Sequence, residues 1–206
     1  MSKGRERELK FLYAGTRPPL LPAGWSLSTE QSPLALVDTY LDTYGALAAR
    51  GCGLRKREDG SGNSVFTLKR DATAVGALHS REEIEAVAFN MADGSDAAAP
   101  PDEIRNLIDR EFGREVTAGL RATITLTQQR SRWTLARHGV SVAKLTIDQV
   151  TAGSASWAEL EIEFLSSLSD DDVTRFSREL HDALQNNPQL TISAESKGER
   201  ARRLSL

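Results

Sequence analysis

The segment Glu6-Arg7-Glu8-Leu9-Lys10-Phe11 places two acids and a lysine at every second position, so on an extended strand all three side chains point to one face. Carboxylates are the hard oxygen ligands that Mg²⁺ and Mn²⁺ take, and a lysine ammonium is a point charge suited to phosphate oxygen. The spacing therefore sets metal-type and phosphate-type ligands side by side. A charged alternating face is also simply the wet side of an antiparallel strand, so the segment gains meaning only if it recurs.

It does recur. Taken at period two, the chain adds Arg55/Arg57, Thr67/Lys69, Arg81/Glu83/Glu85, Gln128/Arg130/Arg132, Lys144/Asp148 and Glu159/Glu161/Glu163. The opposite faces carry Leu9 and Phe11, Phe66 and Leu68, Leu145 and Ile147, and Leu160, Ile162 and Phe164. Two arrangements satisfy such strands. In one, an antiparallel sheet lies on helices and turns its charged face to water. In the other, the sheet closes with its charges inward, forming a polar tunnel whose lysines and arginines bind a polyanion and whose glutamates bind metal. Unpartnered buried charge is so costly that this second arrangement requires a highly charged ligand, ions and water inside. Basic residues on many strands, with acids concentrated on the first and penultimate ones, favour it.

The elements that would hold these rows are mostly strands. Candidates cover residues 5–13, 36–43, 53–58, 64–70, 81–88, 120–130, 131–138, 140–149 and 156–165, with a hairpin turn in Glu58-Asp59-Gly60-Ser61-Gly62-Asn63. Residues 16–33 read as a proline- and glycine-punctuated loop, 44–50 as a short helical turn ended by Gly51, and 92–100 as a mobile loop. Pro101 opens a helix to Phe112 with Ile104, Leu107 and Ile108 on one face, and a second helix over 169–186 carries Val173, Phe176, Leu180 and Leu184 at helical spacing. After a short strand at 190–192, the tail is either structured or a trailing linker. Eight or nine strands with few helices imply an antiparallel sheet that closes into a barrel or packs as a sandwich, and 206 residues suit one such domain.

Composition narrows the function. Hydrophobic content of 39% and charged content of 27% are those of an ordinary globular protein, and a net charge of −3 argues against a general nucleic-acid binder. No apolar run approaches the roughly 18 residues of a membrane helix, and the amino terminus has no signal-peptide core, so the default expectation is a cytoplasmic protein without a membrane partner. The single cysteine, Cys52, can form no internal disulfide and reads as a bystander. His79, His138 and His181, in a loop, a turn and a helix, lack metal-type spacing and read as surface residues, and no Gly-x-x-x-x-Gly-Lys-Ser/Thr loop is present. Trp25, Trp133 and Trp157 read as packing residues.

The ordered set of motifs resembles the CYTH domain, the triphosphate tunnel metalloenzymes. Glu6-x-Glu8-x-Lys10 is similar to the family's amino-terminal signature, Tyr40-Leu41-Asp42-Thr43 to its Tyr-Phe-Asp-Thr element, and Gly51-Cys52-Gly53-Leu54-Arg55-Lys56-Arg57 to its Gly-x-x-Leu-Arg-x-Arg. Phe66-Thr67-Leu68-Lys69, Arg81-x-Glu83-x-Glu85, Gln129-Arg130-Ser131-Arg132, Ile147-Asp148 and Glu159-Leu160-Glu161 continue the match. Ser196-Lys197-Gly198-Glu199-Arg200 is similar to the ending of members that run on into a helical CHAD domain. Departures are the proline-rich 17–33, where many members place a helix, and Tyr44, where proline is common. A CHAD-type partner domain or a stand-alone barrel are both compatible with the tail.

The resemblance implies an α+β protein built on an eight-stranded antiparallel β-barrel with a charged interior and a few covering helices. By carry-over, Lys10, Arg55, Arg57, Lys69, Arg81, Arg130, Arg132 and Lys197 would bind the phosphates. Glu6, Glu8, Asp148, Glu159, Glu161 and Glu163 would supply ligands for Mg²⁺ or Mn²⁺, with which two of the last three bind metal left open. Glu6, Glu8 and Lys10 are the implied catalytic group, and Glu83, Glu85 and Lys144 have no settled role. Phosphoryl transfer needs charge neutralisation and alignment more than a protein nucleophile, which suits these residue types. The implied activity is metal-dependent hydrolysis of tripolyphosphate to pyrophosphate and phosphate. Thiamine triphosphatase, adenylyl cyclase and a non-catalytic polyphosphate-binding module are the alternatives.

Overall fold

A computed structural model describes residues 2–89 and 99–204. Its strands are β1 (Ser2–Tyr13), β2 (Trp25–Leu27), β3 (Gln31–Asp42), β4 (Gly53–Glu58), β5 (Asn63–Val75), β6 (Leu78–Phe89), β7 (Arg121–Arg137), β8 (Val140–Ala152), β9 (Ala155–Phe164) and β10 (Leu190–Ile192). The helices are α1 (Asp102–Phe112), α2 (Arg114–Ala118), α3 (Asp170–Leu184) and α4 (Lys197–Leu204). Eight strands form a closed antiparallel ring in the order β1-β6-β5-β4-β3-β7-β8-β9. Closure runs through β1, whose Ser2–Leu9 stretch pairs with β6 while Glu8–Leu12 pairs with β9 on the other edge. Such closure removes the exposed edges an open sheet would leave. The short β2 and β10 lie outside the ring against β7 and β1.

The hydrophobic core lies outside the barrel. Ile104, Leu107 and Ile108 of α1 pack on Leu54, Phe66, Leu68 and Ile84, and Val173, Phe176, Leu180 and Leu184 of α3 pack on Leu9, Phe11, Leu145, Leu160 and Ile162. Period two then forces the alternate, charged residues of those strands inward. Ser169 starts α3 by accepting a hydrogen bond from the Asp172 backbone N–H at 3.1 Å. At one end the inward rows turn apolar, and Tyr40, Ile124, Leu126, Val150, Ala152 and Trp157 receive Ala201 of α4. The C-terminal helix therefore packs across part of that end of the barrel.

Gly198 allows the approach. A Cβ there would lie 2.7 Å from the Tyr40 ring. Gly198→Ala is expected to cost about 1–3 kcal/mol through overpacking, read as a lower midpoint in denaturant.

Several elements differ from the sequence expectation. The strands expected at 120–130 and 131–138 are one 17-residue strand, β7. The proline-rich segment contains β2, and β3 begins at Gln31. Of the two readings of the tail the structured one holds, since the expected strand β10 and the helix α4 fold onto the barrel. His79 lies on β6 rather than in a loop and is buried. Of the loop expected over 92–100, residues 92–98 lie outside the described residues. Among the described residues no helix is long and apolar enough to cross a membrane.

Candidate functional site

The inward rows converge on a cavity of about 360 Å³. Its wall includes Glu6, Glu8, Lys10, Arg55, Arg57, Lys69, Arg81, Glu83, Glu85, Arg130, Lys144, Glu161, Glu163 and Lys197. Each side chain is there because its strand turns the alternate residues to the outer core, and Lys197 because α4 begins at the lumen. Asp42 shapes the rim. Its carboxylate accepts the backbone N–H groups of Thr43 (2.6 Å), Leu47 (2.9 Å) and Ala48 (3.2 Å), folding the following loop so that Ala48, Gly51, Cys52 and Gly53 border the opening. Burial, with Asp71 beside it, raises the Cys52 thiol, which suits a thiol that takes no part in the chemistry.

Acids and bases in the cavity are paired in a continuous lattice. Arg81 bridges Glu6 and Glu8, and Lys69 lies between Glu6 and Glu83. Lys10 is 3.2 Å from Glu161 and 3.6 Å from Glu8. Lys197 reaches Glu161 at 2.6 Å, Asp148 at 3.0 Å and Glu159 at 3.4 Å. Burial opposes the charge of Glu161, but Lys197, Lys10 and Arg130 overcome it and hold the carboxyl well below the usual range. Lys69 and Arg81 do the same for Glu6 against its own burial.

Glu8 behaves in the opposite sense. Burial, reinforced by Glu161 and Glu6, pushes its carboxyl up despite Lys10 and Arg81. Glu8 faces Glu163 directly across the β1–β9 pair, and burial together with Glu6, Glu8 and Glu83 raises Glu163 as well, against Lys144. Like charges opposed on neighbouring strands destabilise a sheet, so this corner has an electrostatic deficit that a cation would remove.

Asp148 and Glu159 are fully buried and do not border the cavity. Asp148 accepts a bidentate pair from Arg130, at 2.7 and 2.6 Å, in addition to Lys197. Glu159 accepts the Trp157 indole N–H at 2.8 Å and lies 3.5 Å from Arg200, which leaves its Oε2 without a hydrogen-bond donor. Arg132 is also outside this cavity. With Arg57 and Arg130 it lines an adjoining vestibule of about 430 Å³ whose walls include Leu34, Leu36, Val65 and Val87.

Asp38 is a site residue that the sequence reading passed over. It is fully buried, forms a bidentate pair with Arg57 at 2.6 and 2.6 Å, lies 3.8 Å from Arg55, and accepts the Gln128 amide at 2.7 Å. The signal was present, because Asp38 precedes Tyr40 by two and so shares its inward face. Burial works against the Asp38 charge, yet Arg55 and Arg57 lower its pKa to about 2. A depressed folded-state value contributes stability that is complete above the unfolded pKa near 3.9 and is lost as pH falls toward 2. The wild-type denaturation midpoint is therefore expected to fall between pH 4 and 2, by the order of 2 kcal/mol from this group. Asp38→Asn, less stable at pH 6, should lose correspondingly less over that interval in a pH series of denaturant titrations.

The donor chemistry fits a hard divalent cation, since Glu6, Glu8, Glu161 and Glu163 present carboxylate oxygens to one lumen. Among the described residues no three acids, histidines or cysteines already converge on one ion-sized point, because lysines and arginines hold the carboxylates instead.

A closed antiparallel barrel with a charged lumen and an outer hydrophobic core defines a tunnel protein. The sequence profile of the CYTH domain matches residues 4–201, and the chain belongs to that family. Among solved structures it is similar to HpAC1 from Hippeastrum, a candidate adenylyl cyclase with a dominant triphosphatase activity. The TM-score is 0.69 at 18% identity, covering 98% of this chain and 97% of that one. A candidate adenylate cyclase from Bacillus halodurans gives a TM-score of 0.64 at 17% identity, covering 97% and 98%. The PH1819 protein from Pyrococcus horikoshii OT3 gives 0.57 at 16%, covering 96% and 99%. At these identities the likeness is one of fold. No curated protein sequence matches the chain.

Proposed function

We propose that this protein is a divalent-metal-dependent hydrolase that cleaves tripolyphosphate to pyrophosphate and phosphate. The observation that carries the reading is the lumen itself, where Lys10, Arg55, Arg57, Lys69, Arg81, Arg130 and Lys197 converge with Glu6, Glu8, Glu83, Glu85, Glu161 and Glu163 and, among the described residues, with a single aromatic side chain, Tyr40. A pocket for an ordinary organic ligand is mostly apolar, and this one is walled by charge. Such a wall suits a short polyanion with its counter-ions.

In this reading the lysines and arginines hold the phosphate chain in line, and Glu6, Glu8, Glu161 and Glu163 hold Mg²⁺ or Mn²⁺. The metal, when bound, neutralises phosphate charge and polarises the bond to be broken. Water attacks the terminal phosphorus, a new P–O bond forms, and the bridging P–O bond breaks with pyrophosphate as the leaving group. Glu8, a buried carboxylate on the cavity wall, would take the proton from the attacking water. Asp148, Glu159 and Asp38 keep Arg130, Lys197 and Arg57 extended toward the chain.

A second reading draws on the vestibule. Its aliphatic wall beside Arg57, Arg130 and Arg132 would suit the organic end of a nucleoside or thiamine triphosphate. Phosphate release from tripolyphosphate, ATP and thiamine triphosphate, each with Mg²⁺ or Mn²⁺, decides between them, with cyclic AMP measured alongside. Turnover of tripolyphosphate in preference to both esters is expected. Preference for either ester, or cyclic AMP from ATP, would replace the first reading with the second, and tight binding without turnover of any substrate would leave a binding module.

A further inference from the structure

Lys10 and Lys69 enter the cavity from barrel strands, whereas Lys197 arrives on α4, which no ring strand carries. Only four residues separate β10 from α4, and the first of them, Ser193, is the fastening point. Its backbone N–H donates to the Lys10 carbonyl at 3.2 Å, and its hydroxyl accepts from Arg200 at 2.8 Å. Its carbonyl accepts from His79 Nε2 at 2.8 Å, which requires the proton on that nitrogen. Ser193 and His79 are both buried, at 3% and 8% exposure, so water cannot substitute freely for the lost bond. On β6, His79 continues the inward row of Arg81, Glu83 and Glu85, yet it bonds the tail and does not line the cavity.

We infer that His79 is a positioning residue. It clamps the C-terminal arm at Ser193 and so delivers the Lys197 ammonium to Asp148, Glu159 and Glu161. The inference rests on the proposed hydrolase only in giving Lys197 a phosphate to hold, and the clamp itself can be tested without substrate.

The experiment is amine acylation of the full chain with acetic anhydride, followed by peptide mass spectrometry, in wild type, His79→Phe and His79→Gln. Lys10 is buried on its own strand and serves as the internal reference. Losing one buried hydrogen bond should let the arm open more often, and Lys197 labelling in His79→Phe is expected to rise about tenfold relative to Lys10. Glutamine keeps an N–H donor near the same place and should restore most of the protection. Unchanged Lys197 labelling in folded His79→Phe overturns the clamp. So does an equal rise at Lys10, which marks a loosened barrel, and so does a glutamine variant no better than phenylalanine. Should the wild type turn over no triphosphate, the hydrolase reading falls while the labelling result stands by itself.

Discussion

Glu8→Gln is expected to reduce metal-dependent phosphate release from tripolyphosphate by about 10²–10³-fold, while leaving the folded protein as stable as wild type or more so. The two halves of this expectation come from one arrangement. Glu8 is buried at 2% exposure, faces Glu163 across the β1–β9 pair and has Glu6 and Glu161 close by. A carboxyl whose folded-state pKa is raised weakens the fold as pH rises through that value, because ionisation is harder inside than in the unfolded chain. Glutamine keeps the shape, removes the charge and relieves the repulsion. The same charge is what a divalent cation and the proton of the attacking water require, so the site trades stability for activity. Denaturant midpoints at pH 7.5 and initial rates over a metal titration would test both halves. A variant that retains near wild-type turnover would remove Glu8 from the chemistry. One that is much less stable would show that Arg81 and Lys10 bind Glu8 more strongly than its acidic neighbours repel it.

Much of this arrangement is legible in the sequence. The alternation in Glu6-x-Glu8-x-Lys10, Arg55-x-Arg57 and Glu159-x-Glu161-x-Glu163 names the lumen wall, because a strand with one apolar face under helices must turn the other face inward once the sheet closes. Closure itself is not a local property. It depends on β1 pairing at two edges, and period two is equally content with an open sheet. The sequence reads as two strands meeting at residue 130 where β7 runs through, and both faces are polar over Thr127–Arg132, with Gln128, Arg130 and Arg132 inward and Thr127, Gln129 and Ser131 outward. Without an apolar period, nothing local bridges that stretch. The role of α4 is hidden for a related reason. Lys-Gly-Glu-Arg-Ala-Arg-Arg-Leu has few apolar residues, and what it buries is mainly charge paired with Asp148, Glu159 and Glu195. In the sequence His79 reads as a surface residue, because its partner, Ser193, lies 114 positions away.

The division of labour among the acids makes the remaining large prediction. Asp148 is fully buried behind the cavity wall, where Arg130 grips it with two hydrogen bonds and Lys197 lies 3.0 Å away. Burial opposes its charge, and Lys197 and Arg130 together keep its carboxyl low, so its ionised form stabilises the fold at every pH above the unfolded value near 3.9. Asp148→Asn leaves the buried Lys197 and the half-buried Arg130 short of one counter-charge, and removing one partner of such a buried pair costs about 3 kcal/mol. A denaturant midpoint at pH 7 should show that loss. Tripolyphosphate should restore part of it, because the chain offers Arg130 and Lys197 the negative charge they lack, so the ligand-induced rise in melting temperature should exceed that of wild type. The metal concentration for half-maximal rate should stay near the wild-type value, whereas Glu161→Gln, altering a carboxylate that borders the lumen, should raise it. If Asp148→Asn raised the metal requirement as much as Glu161→Gln does, Asp148 would be a metal ligand, and its grip on Arg130 would be the state that metal binding displaces.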